Sequence, residues 1–388
     1  MLDIKTARAE TPACSELIHF NNAGASLMPS PVYKAMTDHL ELEQKVGGYE
    51  AANLAAEDIA AFYTEFASLL NVSPEEIAYV ENATRAWDMA FYGMPLVAGD
   101  RILSHDSEYV SNYLAFLQQS KSKGWEVDVV PSDDSGQIDL EAMESMITPR
   151  TKLIAITHVP TQGGLVNPVK EVGELARKHN LIYMLDACQS AGQIHLDVKK
   201  IGCHVLSGTG RKYLRGPRGT GFLYVSKDMF DSIEPPFIDL HSAVWTSANE
   251  YTWVPSAKRY ENWECNIAGK IGLMAAVRYA RHIGLENIEN RVTTLAESLR
   301  EALSSLPHVS VHDQGISKCG IVTFCISNKE AKEIADFLRN NNINVSVSSI
   351  TSAQLDFGKR QLTSLVRASL HYFNTEDEVH RFVELIKA

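Results

Sequence analysis

Lys212 sits in a polar stretch punctuated by glycines, Ser207-Gly208-Thr209-Gly210-Arg211-Lys212-Tyr213-Leu214-Arg215-Gly216-Pro217, a short distance after Leu185-Asp186-Ala187-Cys188-Gln189. A carboxylate, an amide and an amine in this order are the groups that hold pyridoxal phosphate. The lysine can form a Schiff base with the aldehyde, the carboxylate can pair with the pyridinium nitrogen, and the amide can donate to the phenolic oxygen. Burial and the cations Arg211 and Arg215 would lower the Lys212 pKa and free its amine. Alone, Gly-x-Gly-Arg-Lys also fits a solvated basic turn. The Asp186 to Gln189 segment upstream reverses that preference. Asp186 closes the apolar run Leu181-Ile182-Tyr183-Met184-Leu185, and ligands of open α/β sheets bind beyond the carboxyl ends of strands; a helix cap is its other possible role.

Glu81-Asn82-Ala83-Thr84 falls between a strand and a helix. Amides at the helix start and the Thr84 hydroxyl suit a phosphate, and Asn or Thr also serves as a simple cap. Thr209 and Arg211 are candidates for the opposite wall of that cup. Tyr109 follows another strand end, where a ring can stack on a planar cofactor or remain an ordinary half-buried tyrosine. Arg367, in Val366-Arg367-Ala368-Ser369-Leu370, places a cation in an apolar strand. It needs an internal acid or the carboxylate of a substrate. A phosphate loop of the GxxxxGK[ST] type is excluded because Tyr213 follows Lys212, and no dinucleotide fingerprint follows the first strand.

The elements that position these groups alternate. Ile77 to Val80, Arg101 to Ser104, Val127 to Pro131, Leu153 to Thr157, Ile182 to Leu185, His204 to Ser207 and Gly221 to Val225 read as strands. Glu50 to Leu70, Arg85 to Tyr92, Asn112 to Lys123, Asp139 to Met146 and Pro168 to His179 read as helices between them. A doubly wound, mostly parallel sheet covered on both faces is expected. Pro235 to Tyr260 reads as a loop excursion. Beyond it, helices at Asn266 to Ile283, Leu285 to Leu306 and Lys329 to Asn340, apolar segments Gly320 to Ile326, Ile343 to Val347 and Leu365 to Leu370, and a last helix from Glu376 suggest a small α+β domain. The expected division is 20–262 for the large domain, with 1–19 and 263–388 forming the small one.

The balance of 36 basic and 48 acidic residues leaves a formal charge of -12, which disfavours nucleic acid and anionic membranes as partners. No run approaches the roughly 18 apolar residues of a membrane span, and Met1 to Glu10 lacks the apolar region of a signal peptide, so a cytoplasmic protein is expected. The six cysteines show no CxxC pair or paired spacing with histidine, and no metal site is expected.

With Lys212, Asp186, Gln189 and Thr84 assembled, the chain resembles the class V aminotransferase family of fold-type I pyridoxal-phosphate enzymes, from His19-Phe20-Asn21-Asn22-Ala23-Gly24 to Arg367-Ala368-Ser369. The resemblance implies a seven-stranded large domain with a small C-terminal α+β domain, and a homodimer with active sites at its interface. It makes Lys212 the Schiff-base lysine, Asp186 the pyridinium partner and Gln189 the phenolic-oxygen donor. Ala83, Thr84, Tyr109, Thr161, Thr209 and Arg211 complete the cofactor set, with Tyr109 where desulfurases place a stacking histidine. Arg367 matches the arginine that binds the substrate carboxylate, and Asn22 to Ala25 resembles the lining of the substrate entrance.

Cysteine desulfurases of this family carry a nucleophilic cysteine on a loop before that arginine. Between Asn344 and Leu365 this chain has Ser346, Ser348, Ser349, Thr351 and Ser352 and no cysteine. Segments 158–168 and 260–264 are most similar to the carbon–sulfur lyase branch, typified by hercynylcysteine sulfoxide lyases. The expected activity is β-elimination on a cysteine S-conjugate or its sulfoxide, a small-molecule amino acid, releasing pyruvate and ammonia. Transamination or epimerisation shares the early steps; a desulfurase or selenocysteine lyase activity, and a non-catalytic binding role, stand further off.

Overall fold

A computed structural model describes residues 2–387. The central apolar runs form β1 (Ile77–Val80), β2 (Arg101–His105), β3 (Glu126–Val130), β4 (Thr151–Thr157), β5 (Ile182–Asp186), β6 (Val205–Thr209) and β7 (Gly221–Val225). They make one seven-stranded sheet in the order β1-β7-β6-β5-β4-β2-β3. Neighbours from β6 to β3 are parallel, and β7 runs against both β1 and β6. Side chains alternate between two cores. Leu103, Ile154, Ile156 and Leu185 enter one, while Ile102, Leu153, Ala155 and Met184 enter the other. Both faces are therefore covered, which is why the strands read as continuous apolar runs rather than as alternating patterns.

Three readings of the sequence change in the structure. The helix expected over residues 50–70 is two, Gly48–Leu54 and Ala56–Leu70, after an earlier helix, α1 (Ser30–Val46). The break lets Ala56–Leu70, α2, bury Phe62, Phe66, Leu69 and Leu70 under the sheet while Leu54 stays in solvent. Next come α3 (Ala83–Phe91) and α4 (Val110–Lys123). The excursion at 235–260 contains an antiparallel hairpin, Ala243–Ser247 with Glu250–Trp253, whose β-branched and aromatic residues favour strands.

The third concerns what the helix expected at 266–283 packs against. Helix α5 (Ile267–Ile283) packs on α1 and α2 and adds Ile271, Leu273, Met274 and Val277 to the core of the large sheet. A helix apolar on most of its surface is claimed by the larger core. The small domain is built from helix Leu285–Ser304 onward, around β8 (Val309–Val311), β9 (Ile321–Ile326), β10 (Ser346–Ser349) and β11 (Ser364–Ser369). These strands are antiparallel in the order β8-β9-β11-β10. Ile18 and Phe20 from the N-terminal segment share its core. Between β10 and β11 the chain forms a short helix, α6 (Gln354–Lys359). Among the described residues no helix is long and apolar enough to cross a membrane, and no group of His, Cys, Asp or Glu is placed to hold a metal ion.

Candidate active site

Parallel strands present their carboxyl ends along one edge. There the turns after β1, β2, β4, β5 and β6 bring Ala83, Thr84, Tyr109, Thr161, Asp186, Gln189, Thr209, Arg211 and Lys212 around a single cleft. Every residue expected to hold the cofactor lines it. Asn82 accepts from Arg85 N at 2.9 Å and so takes the capping role, which leaves Thr84 at the mouth of the cleft.

Lys212 is buried, and its amine lies 5.9 Å from the centroid of the Tyr109 ring. Burial is the largest cause lowering its pKa; Arg211 and Arg367 act in the same sense, against Cys188 and Asp186. Arg215 was the expected second cation, but its guanidinium points away. It donates to Leu27 O, Tyr372 Oη and Thr11 Oγ1, while its backbone amide closes the turn onto Lys212 O. The glycines also serve the protein more than the ligand. A Cβ on Gly210 would meet Thr220 Oγ1 at 2.4 Å and Leu273 at 2.8 Å, so the turn presses against the residue before β7 and against α5.

Asp186 ends β5 with no helix after it, which removes the plain helix-cap role. Its Oδ1 accepts from Cys188 N at 2.8 Å and its Oδ2 from Asn112 Nδ2 at 2.9 Å. Gln189 Nε2 donates to Ala23 O at 3.1 Å and to Thr161 Oγ1 at 3.0 Å, whereas its Oε1 is buried without a partner. The expected donation to a phenolic oxygen therefore requires exchange of the Thr161 bond.

Arg367 is buried, donating from Nη1 to Thr161 O and Oγ1, both at 2.7 Å, and from Nε to Ser346 Oγ at 2.9 Å. Among the described residues no carboxylate pairs with it, so the internal ion pair is absent. Burial, with Arg211 nearby, pushes its pKa down to about 10. The Asn22 amide is consumed by His19 O, Ser369 O and the Ser26 hydroxyl, and Ala25 gives its carbonyl to His19 Nε2. These two residues shape the N-terminal strap, which Arg211 also grips through Gly24 O. The structure adds Glu108, Asn112, Thr157 and Cys188 to the site. Glu108 lies in the turn between β2 and α4, where a carboxylate is ordinary, so the sequence alone does not single it out.

A buried amine beside an aromatic ring, a buried carboxylate on the adjacent strand, an unpartnered buried amide oxygen and a helix start at the far wall suit pyridoxal phosphate. The sequence matches the aminotransferase class-V family over residues 18–382. A probable cysteine desulfurase from Pyrococcus abyssi is 30% identical, with 98% of this chain and 97% of that protein covered. The apo structure of a cysteine desulfurase from Thermococcus onnurineus is 28% identical and superposes with a TM-score of 0.93, covering 100% of this chain and 98% of the other. A cystine C–S lyase, solved with its product cysteine persulfide, shares the fold at 24% identity and a TM-score of 0.87, over 97% of this chain and 98% of that one. The chain belongs to the class-V aminotransferase family and is a pyridoxal-phosphate enzyme.

Proposed function

We propose that the protein cleaves the carbon–sulfur bond of a cysteine S-conjugate, or its sulfoxide, by β-elimination. When bound, pyridoxal phosphate supplies an aldehyde for the substrate amine and a ring that withdraws electrons from the substrate α-carbon. Asp186 would pair with the ring nitrogen, Tyr109 and Cys188 would line the place of the ring, and Thr84, Thr209 and Arg211 would hold the phosphate. Arg367 binds the substrate carboxylate through the guanidinium face left over from Thr161 and Ser346. Lys212, its amine freed by a lowered pKa, removes the α-proton. The Cα–H and Cβ–S bonds break, the sulfur group departs with the Cβ–S electron pair and gains a proton, and one water yields pyruvate and ammonium.

The observation that carries elimination over persulfide transfer is the segment before Arg367. It holds no thiol, and it is folded rather than free: Phe357 of α6 is fully buried, and Lys359 Nζ reaches Asp106 Oδ2 at 3.0 Å. Cys188 is the cysteine on the cleft wall. Burial, and after it the Asp186 charge, raise its pKa well above the ordinary value, so it stays a thiol and a poor nucleophile.

With L-cysteine or its S-conjugates, elimination predicts pyruvate and ammonium in equal amounts and no alanine. The names of the relatives favour a second reading, desulfuration, and alanine as the product would overturn elimination in its favour. A keto acid that retains its sulfur would instead indicate transamination.

A homodimer is part of the same proposal. Phe237, Ile238, Leu240, Val244 and Trp245 stand exposed on and beside the 243–253 hairpin, Trp245 at 79%, and a patch of this kind marks an interface. Sedimentation is expected to give one species near twice the 43.0 kDa chain mass; a monomer would contradict it.

A further inference from the structure

Behind the cleft two buried carboxylates share one amide. Asn112 Nδ2 donates to Glu108 Oε1 and to Asp186 Oδ2, at 2.9 Å in each case. Glu108 Oε1 also accepts from Tyr109 N at 2.8 Å and from the Thr157 hydroxyl. Its second oxygen lies 3.4 Å from Ser104 Oγ. All of these side chains except Tyr109 are buried. One carboxylate oxygen thus gathers three donors, from β4, from α4 and from the turn between β2 and α4.

Removing a carboxylate from water is costly, and an apolar filling of the same space would often be at least as stable. What the polar arrangement provides is orientation. The two hydrogens of one amide tie Glu108 to Asp186, and the bond to the Tyr109 backbone fixes where that ring enters the cleft. We propose that Glu108 is a positioning residue for the cofactor ring, holding the Asp186 carboxylate through Asn112 and the Tyr109 ring through its backbone amide.

The electrostatics give this arrangement a readable signature. Burial, opposed by the Thr157 bond and reinforced by the Asp186 charge, pushes the Glu108 pKa up to about 7. The charged group facing Glu108 is Asp186 from β5; Ser104 from β2, Thr157 from β4 and Asn112 from α4 are neutral, and Tyr109 presents its N–H. Ionisation of Glu108 therefore adds a second negative charge beside the Asp186 carboxylate within the neutral pH range.

The test uses Glu108→Gln and Asn112→Ala, with Asp186→Asn for reference. Pyridoxal phosphate is titrated into the apoprotein, and the visible absorption of the holoenzyme is followed from about pH 5.5 to 9. Each of the first two substitutions is expected to weaken cofactor binding about tenfold, the scale of one charge-assisted hydrogen bond. The double variant should lose less than the sum, because both act through one chain of bonds. Wild type should show an absorption transition near neutrality that Glu108→Gln abolishes. Thr157→Val removes a donor to the ionised form, so it should move that transition to higher pH; this arm keeps the test open even if Glu108→Gln does not fold. A folded Glu108→Gln protein with unchanged affinity and an unchanged transition overturns the proposal. So does a lowered melting temperature with cofactor binding intact, which would make Glu108 merely structural. Because the readout is cofactor binding, the result is independent of whether pyruvate or alanine is the product.

Discussion

Lys212→Ala is expected to lower turnover by at least about 10³-fold, the combined loss of a covalent anchor and a general base. Borohydride treatment of the wild-type holoenzyme should fix the cofactor to the peptide carrying Lys212, and the variant should take up no label. The structure makes the expectation specific to this lysine. Lys270 is equally buried, but its amine donates to Tyr63 Oη at 2.7 Å, lies 3.7 Å from Glu261 and is surrounded by the rings of Phe62, Tyr63 and Tyr79. Its amine is engaged by Tyr63 and Glu261 away from the cleft, so it cannot replace Lys212.

The sign of the pH dependence follows from the same surroundings. A depressed pKa means that the uncharged amine persists to lower pH than the roughly 10.4 of a free lysine side chain would allow. Covalent uptake of cofactor by the apoprotein should therefore rise with pH through a midpoint below that value. Arg211 is one of the cations acting on Lys212, so Arg211→Gln should move the midpoint upward. Labelling of Lys212→Ala, or turnover close to wild type, would mean that another amine does the work.

The parts of this site legible in the sequence are those whose chemistry conflicts with their local setting. Asp186 ends a run of apolar residues and Arg367 interrupts one, and neither would be placed there without a partner. Lys212 was less clear, because a basic turn rich in glycine has two outcomes; only its distance from Asp186 decided between them. The strands were legible because burial on both faces leaves an unbroken apolar signature. The packing partner of α5 was not, because this helix is apolar enough to join either core and only its tertiary contact with α1 and α2 decides between them.

Other features depended on side-chain direction, which a sequence does not carry. Arg215 is two residues beyond Tyr213 in the Lys212 turn, yet a left-handed backbone conformation with φ of 60° turns it toward Tyr372 and Phe373. Glu108 reads as an ordinary residue of a turn before a helix. Its importance appears only when β4 and β5 bring Thr157 and Asp186 alongside it. The hairpin at 243–253 was obscured by serines and prolines around it, although its own residues are strong strand formers.

Arg367→Gln is expected to raise the KM for an amino-acid substrate by about 10²-fold, corresponding to roughly 2–3 kcal/mol of charge-assisted hydrogen bonding. In the apoprotein the same substitution should leave the melting temperature unchanged or raise it. The two outcomes have one cause. A buried guanidinium with hydroxyl and carbonyl partners but no carboxylate, and with Arg211 nearby, is an uncompensated charge, and its pKa is already pushed down to about 10. Holding such a cation costs several kcal/mol, against about 1 kcal/mol for each of the hydrogen bonds that Gln cannot reproduce. Stability is thus conceded at Arg367 for an anion that arrives with the substrate. The converse result, a lowered melting temperature with KM unchanged, would assign Arg367 to holding β11 against Thr161 and remove the carboxylate clamp from the mechanism. An amine substrate lacking the carboxylate provides the complementary arm: it should be processed poorly by the wild type and lose little further in Arg367→Gln, since the interaction deleted from the protein is already missing from the ligand.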